Sequence, residues 1–208
     1  MKRKQLWLTL TAVLLLLALP ACALALSDKK KVEPAVYEWD ITEEEAREYV
    51  IKFGVEHRLG QKDKYPIYSA PDLNAVRGAK GKATLATAGG ADSAGWEGAW
   101  LLMRYEKSNG GYRVGWVPKT SLNMNTIEAT RSVHFANCLV LVERDCALTD
   151  DPLLESETLC YAEAGEPLTY LAYYRYGAKG KEYAYVRGDY NGKPVCGFIP
   201  FDAIAWWE

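Results

Sequence analysis

The stretch that decides the fold is AWLLMRYEKSNGGYRVGWVPKTSL, residues 99–122, which recurs in altered form as AYVRGDYNGKPVCGFIPFDAI, residues 184–204. In both copies an aromatic residue begins the run, an Asn-Gly pair follows, and a Gly-aromatic-aliphatic-Pro sequence comes near its end. A three-residue gap before the Asn-Gly pair aligns these positions and matches Trp100 with Tyr185. Internal repetition of this kind predicts two tandem copies of one small structural unit.

The first copy has the pattern of a small antiparallel β unit. Asn109 and Gly110 predict a hairpin turn between two runs rich in β-branched and aromatic residues. A glycine-rich loop before this hairpin carries Trp96. Several short strands at this spacing are typical of a small β-barrel. The predicted strands are residues 66–71, 83–87, 100–105 and 112–117.

The second copy has the same order of elements. Asn191 and Gly192 predict its hairpin turn, and the Asp-Asp-Pro sequence at 150–152 predicts an earlier turn. The apolar, β-branched residues 133–143 between the copies predict a strand rather than a flexible linker, so we expect the two units to pack together. The predicted strands of the second copy are residues 146–148, 168–174 and 183–189.

A short helix is predicted before the first copy. Thr42 and Glu45 have the spacing of a capping box, and acidic residues occupy the first turn. Apolar residues at i, i+3, i+4 and i+7, counted from Ala46, continue an apolar stripe as far as Phe53. The β-prone residues 49–51 leave a strand open as the alternative.

Residues 1–27 have the pattern of a signal peptide, so the chain is predicted to be exported and extracellular or associated with the cell envelope. Basic residues precede an apolar run at 6–19, and small residues allow cleavage after Ala23 or Ala25. Two alternatives stay open. One is a lipoprotein anchored at Cys22, for which the preceding Leu-Pro-Ala is an atypical motif, and the other is an uncleaved membrane anchor.

The charge of the chain argues against nucleic acid as a partner. Removing the three basic residues of the signal peptide from a total of 25 leaves 22 against 27 acidic residues, a net charge of −5. Binding to a phosphate backbone needs a basic face, and the composition provides none. The basic run Lys29–Lys31 is interpreted as a solvated tail.

Four cysteines follow the signal peptide, all in the second half of the chain. An exported protein can form disulfides, and four cysteines allow three pairings that the sequence does not rank. The alternative is that they are small buried hydrophobic residues, because the first copy has Val114 where the second has Cys196. The four are Cys138, Cys146, Cys160 and Cys196.

Both copies resemble the bacterial SH3-like (SH3b) domain, whose signature is an aromatic that begins a strand, a hairpin with Gly, and then Gly-aromatic-aliphatic. The resemblance implies a mainly β fold of two tandem SH3-like small antiparallel β-barrels, preceded by the signal peptide and a short helix. The implied domains are residues 65–125 and 144–208, with a tail and helix at 28–64 and a connecting strand at 126–143. The matching residues are Trp100, Gly115, Trp116 and Val117 in the first copy, and Tyr185, Gly197, Phe198 and Ile199 in the second.

The resemblance also implies a function, because such domains commonly bind peptidoglycan or peptides of the bacterial cell envelope. Aromatic side chains offer rigid area for such contacts, and in the first copy they are expected to flank a shallow groove. Trp96, in its glycine-rich loop, is expected to be exposed, whereas Trp100 and Trp116 serve equally well as barrel core. The candidate ligand-binding residues are Tyr68, Trp96, Trp100 and Trp116.

The alternative function is that of a structural or protein-interaction subunit. Tyr170, Tyr174 and Tyr176 share one face of an alternating strand, which predicts a second aromatic surface or a seam against the first copy or the helix. We favour the seam. In this hypothesis Tyr170, Tyr174 and Trp206 are buried between the two units.

No catalytic, cofactor or metal site is predicted. The Asp-Cys pair at Cys146 is similar to the start of the NlpC/P60 peptidase nucleophile motif, whose histidine lies downstream, whereas His57 and His134 lie upstream. Two isolated histidines and cysteines without a ligand spacing do not form a zinc site. The glycines at 89–98 do not follow the spacing of a phosphate-binding loop.

Overall fold

The computed structural model describes residues 41–57, 64–76, 84–86, 91–106, 112–122, 131–151, 158–176 and 180–206. These residues belong to one compact unit, Glu38–Glu208, and the fold is mainly β, as predicted. The predicted signal peptide, the lipidation site at Cys22, the Asn109-Gly110 turn and Pro152 lie outside the described residues.

The described strands fall into two sets of six in chain order. A helix, α1 (Glu43–Ala46), precedes them, and a 3₁₀ turn follows each set, at Lys119–Ser121 and Phe201–Ala203. The first set is β1 (Val55–His57), β2 (Lys64–Pro66), β3 (Thr84–Ala86), β4 (Ala91–Glu97), β5 (Trp100–Glu106) and β6 (Tyr112–Pro118). The second set is β7 (Cys138–Val142), β8 (Cys146–Thr149), β9 (Thr158–Ala162), β10 (Pro167–Tyr176), β11 (Lys181–Tyr190) and β12 (Lys193–Pro200), and β13 (Ile204–Ala205) ends the described chain.

The two sets share one pattern of antiparallel pairing. In each, the first strand pairs with the fourth, the fourth with the fifth, the fifth with the sixth, and the second with the third. One residue pair joins the second strand, or the chain just after it, to the sixth: Tyr68, two residues after β2, pairs with Trp116 in the first set, and Thr149 of β8 pairs with Phe198 in the second. The sheets have the orders β1-β4-β5-β6, β2-β3 and β13-β7-β10-β11-β12-β8-β9.

The repetition in the sequence is therefore a repetition of strand order, and it includes β1 and β7, which precede the stretches first aligned. We call β1–β6 repeat 1 and β7–β12 repeat 2. Closure of each repeat into a separate SH3-like barrel, and the predicted domain boundaries, stay predictions.

Strand pairing corrects the alignment of the two copies. Trp100 lies opposite Pro118, and the residue opposite Pro200 is Tyr183. Trp100 is thus equivalent to Tyr183, and the predicted match with Tyr185 is wrong. The gap is one residue rather than three. Five residues lie between Glu106 and Tyr112, the last pair of the first hairpin, and four lie between the equivalent pair Asp189 and Pro194 in the second. In the second hairpin, Asn191 and Gly192 both have positive φ, as the predicted turn requires.

The glycine of the repeated Gly-aromatic-aliphatic sequence has the same packing role in both repeats. A Cβ on Gly115 would lie 2.6 Å from the Ile67 side chain, and one on Gly197 would lie 2.5 Å from Leu148. The glycine therefore lets the second strand of each repeat cross directly over the sixth.

A β-bulge occurs at the same place in the fourth strand of both repeats. The register shifts between Ser93 and Gly95 in β4, and between Tyr170 and Ala172 in β10. The extra residue reverses the alternation of faces, so Tyr170 and Tyr173 belong to one buried cluster while Ala172 and Tyr174 belong to another. The predicted shared face of Tyr170 and Tyr174 is therefore wrong, because a period of two does not continue through a bulge.

The described residues form three buried clusters. One is the core of repeat 1, around Leu101, Met103 and Val117. Another is the core of repeat 2, around Val186 and Ile199, and it also contains residues of the N-terminal segment. The third, which we call the inter-repeat cluster, lies between the facing sheets and draws residues from both repeats. Its largest members are Trp116, Tyr185, Phe198, Tyr174, Tyr183, Tyr68, Leu102 and Leu171.

The predicted helix begins where expected and ends early. The Thr42 hydroxyl accepts a hydrogen bond from the Glu45 backbone N–H, and the Glu45 carboxylate accepts one from the Thr42 N–H, so the capping box is confirmed. The helix ends at Ala46 instead of continuing to residue 53. The residues that follow pair with β10, so the β-prone alternative is correct for Val50.

Candidate functional site

The contacts between the repeats are reciprocal. The Val114 N–H donates to the Asp150 carbonyl, and the equivalent Cys196 N–H donates to the equivalent Ser69 carbonyl, each with an N–O distance of 2.7 Å. Contacts that exchange equivalent residues in this way are those of a two-fold interface between identical subunits. One chain therefore contains the equivalent of a homodimer interface.

Charged side chains follow the same reciprocity. Arg187 of repeat 2 donates to both carboxylate oxygens of Glu97 in repeat 1, at 2.8 and 2.9 Å. The equivalent Arg104 of repeat 1 donates to the hydroxyl of Tyr174, which is equivalent to Glu97, at 3.3 Å. Arg113 adds an ion pair with the buried Asp150 at 2.6 Å. Arginine side chains of both repeats therefore form hydrogen bonds or ion pairs across the interface.

The segment before each repeat crosses to the other one. The Ile51 N–H donates to the Tyr173 carbonyl of repeat 2 at 2.9 Å, and the Val133 N–H donates to the Trp96 carbonyl of repeat 1 at 2.9 Å. Both pairings are parallel bridges at the bulge of the fourth strand. Gly95 lies at this contact, where a Cβ would come within 2.7 Å of a carbonyl oxygen of the crossing segment. Each repeat is therefore not only packed against the other but also hydrogen-bonded to the segment that precedes the other.

The predicted ligand-binding aromatics lie mostly in this packing. Trp116 is fully buried, and its indole N–H donates to the Tyr185 hydroxyl at 2.9 Å. Tyr68 is buried against the half-buried Trp100, with the rings edge to face and their centroids 5.2 Å apart. Trp96 lies within strand β4 rather than in a loop and is only 9% exposed. The predicted exposure of Trp96 is wrong because the crossing segment covers its strand.

The predicted seam between the repeats is present, but only some of the residues assigned to it lie there. Tyr174 is buried in the inter-repeat cluster, against Phe53 and Phe198. Tyr170 is buried in the core of repeat 2, where its hydroxyl donates to the Ala46 carbonyl at 2.7 Å. Trp206 is half-buried. The bulge in β10 separates Tyr170 from Tyr174.

A groove of about 920 Å³ lies at the end of repeat 2, and Tyr183, which belongs to the inter-repeat cluster, is among its lining residues. Helix α1, the start of β11, the 3₁₀ turn after β12 and strand β13 line it. Its aromatic floor is Phe201 and Trp206, whose rings stack at 4.8 Å with a 29° angle between their planes. The Tyr170 and Trp206 rings pack edge to face, with their centroids 5.2 Å apart, and this contact fixes the orientation of Trp206.

Arg47 occupies one end of this groove. Its guanidinium lies 4.5 Å from the centroid of the Phe201 ring and 5.3 Å from that of Tyr173. It forms ion pairs with Glu43 at 2.7 Å and with Glu182 at 2.8 Å. The hydrogen bonds to Glu43 and then to Glu182 raise the pKa of Arg47, although partial burial opposes the shift. Aromatic faces and carboxylates thus hold a cation here.

Glu182 is held in place by two donors. Burial opposes its ionisation, but the hydrogen bonds from Arg47 and from the Tyr173 hydroxyl, the latter at 2.8 Å, lower the pKa of its carboxyl. The carboxylate is therefore charged and oriented at neutral pH. No sequence spacing pointed to this groove, because its residues come from four separated segments of the chain.

The cysteines lack the environment of a catalytic thiol. All four are free thiols, and Cys160 and Cys196 are buried. Burial raises the pKa of the half-buried Cys146 thiol, the opposite of what an activated thiolate needs. Within the described ranges, no group of three or more His, Cys, Asp or Glu side chains is placed to hold a metal ion.

Comparisons of the chain with protein-family models, with curated proteins and with solved structures gave no match. Among the residues that the structure covers, no helix is long and apolar enough to cross a membrane. The candidate site therefore depends on the geometry of the groove and of the interface alone.

Proposed function

We propose that this chain is an exported, non-catalytic binding protein of the bacterial cell envelope that recognises peptidoglycan or an envelope peptide through its SH3-like repeats. The groove at the end of repeat 2 is its binding surface. The observation that carries this proposal is the open groove with a fixed aromatic floor, since the aromatics of repeat 1 are used in packing. Concave sites with oriented aromatic and polar groups are the usual places for ligand binding.

Co-sedimentation with purified, insoluble peptidoglycan tests this function. The predicted mature chain, residues 28–208, should be retained in the pellet. Glu143→Lys, which reverses a charge in the groove, should lower retention by about two- to tenfold, because a long side chain of opposite charge changes the surface that the ligand contacts. Glu106→Lys, an equally exposed change at the end of β5, is the matched control for altered net charge.

Two results would count against this function. One is no retention of the unmodified chain, and the other is an equal effect of the Glu143 and Glu106 variants. The second result would mean that any retention depends on overall charge rather than on the groove.

A second candidate is a structural or protein-interaction subunit. The specific observation that favours it is that the inter-repeat cluster buries Trp116 and Phe198, the aromatic residues of the repeated Gly-aromatic-aliphatic sequence. This candidate predicts a stable oligomer or complex in light scattering, together with no retention on peptidoglycan. A monomer that binds peptidoglycan would exclude it.

A further inference from the structure

We infer that the groove of repeat 2 binds a cationic side chain of a peptide ligand, an ammonium or guanidinium group, beside the position that Arg47 occupies. This inference rests on the proposed function, in that it gives the chemical class of ligand for the same groove. It is argued from the contacts of Arg47 and from the other groups and charges that line the groove.

The contacts of Arg47 show which chemistry the groove holds. The Arg47 guanidinium lies over the Phe201 ring, with carboxylates from α1 and β11 on its edges. A cation over an aromatic face with carboxylates at its edge combines ring attraction with ion pairing. Arg47 is thus an example, within the chain itself, of the cationic group that we infer as the ligand.

The rest of the lining has the same two kinds of group. Trp206, stacked on Phe201 and braced by Tyr170, gives an aromatic surface whose orientation is already fixed. Glu143 and Asp202 belong to the groove wall. The Glu143 backbone N–H donates to the Ala203 carbonyl at 2.8 Å, which fastens this wall to the 3₁₀ turn. Binding a ligand therefore costs little ordering of the site.

The balance of charge in the groove selects for a cation. Four carboxylates line it, on Glu43, Glu143, Glu182 and Asp202, against the two cations Arg47 and Lys181. Arg47 is already paired with Glu43 and Glu182, so Glu143, Asp202 and Lys181 remain outside these ion pairs. Asp202 is paired with Arg144, but both side chains are at least half exposed, and such pairs are weak. The volume, about 920 Å³, is within the range of small-molecule and peptide side-chain sites.

A matched pair of peptides tests the inference. The probes are acetyl-Ala-Lys-Ala-amide and the same peptide with its lysine acetylated on Nζ, which removes the charge and keeps the alkyl chain. Each is titrated to about millimolar concentration into the isotope-labelled mature chain, and the indole N–H resonance of Trp206 is followed by NMR. The lysine peptide should shift this resonance to saturation, and the acetylated one should bind at least about fivefold more weakly.

Substitutions assign the site within the groove. Glu143→Gln should weaken binding of the lysine peptide by about two- to fivefold, the range for one partly exposed ion pair. Glu106→Gln, in repeat 1, should leave binding unchanged. Added salt should weaken binding of the lysine peptide further, since the groove is open to solvent.

The possible results separate this inference from the proposed function. Equal shifts with both peptides, no shift with either, or equal binding by the Glu143 and Glu106 variants would overturn the cationic ligand class, even if peptidoglycan retains the protein. Discrimination between the peptides without retention on peptidoglycan would support the ligand class and contradict the proposed function.

Discussion

The inter-repeat cluster should make the two repeats unfold as one unit, and two equivalent substitutions test this. Trp116→Ala and Phe198→Ala each remove a fully buried aromatic ring from opposite sides of the cluster. Replacing a buried aromatic residue with alanine costs about 3–5 kcal/mol of unfolding free energy. Trp116→Ala also leaves the Tyr185 hydroxyl without the indole N–H that it accepts at 2.9 Å.

The size of the expected effect follows from the size of the compact unit. A loss of 1 kcal/mol lowers the unfolding midpoint of a domain of this size by about 2–4 °C, so each variant should lose about 6–20 °C. Differential scanning calorimetry of the mature chain should give a single transition for the unmodified protein and for both variants. Leu73→Ala, at an exposed leucine, is the control and should leave the midpoint unchanged.

Two transitions in the calorimeter would refute this reasoning if Trp116→Ala lowered only one and Phe198→Ala only the other. The repeats would then be independently stable domains, and the reciprocal contacts between them would contribute little to stability.

The same structure makes two further predictions. Gly197→Ala should cost about 1–3 kcal/mol in urea unfolding because its Cβ would lie 2.5 Å from Leu148, while Gly54→Ala, with nothing within 4 Å, should have little effect. Burial raises the pKa of the Cys196 thiol to about 11, against about 8.5 in the unfolded chain. Its contribution to stability is therefore complete below about pH 8.5 and is lost as the pH rises toward 11. Cys196→Val, which introduces the residue that repeat 1 has at Val114, should reduce this alkaline fall in the thermal midpoint, and an equally steep fall would contradict the assignment.

Local signals were the part of the fold that sequence could predict. The capping box at Thr42, the turn at Asn191-Gly192 and the strands on either side of that turn all depend on residues within a few positions of one another. Such short-range chemistry has the same outcome wherever the segment lies in the fold. The repetition of one order of elements was also predicted, because the same sequence pattern occurs twice, but the pairing of the strands, and the place of β1 and β7 in it, were not.

Features that depend on a distant partner could not be predicted in this way. Trp96 is in a glycine-rich sequence that is typical of an exposed loop, but Gly95 instead allows the crossing segment to approach strand β4. The segment after Ala46 has the apolar period of a helix, yet pairing of Ile51 with Tyr173 makes that segment extended. In both cases a contact with the other repeat decided the local conformation.

The two repeats share their interface but not the groove, and the strand register shows why. Each reciprocal contact uses equivalent positions of both repeats, although the residues at those positions differ, as Val114 and Cys196 do. The groove uses positions of repeat 2 alone. Repeat 1 has Ala99 where repeat 2 has Glu182, and Lys119 where it has Phe201. Lys119 places its own ammonium 5.5 Å from the centroid of the Trp96 ring, so at this end of repeat 1 a cation stands where repeat 2 has an aromatic floor and a carboxylate.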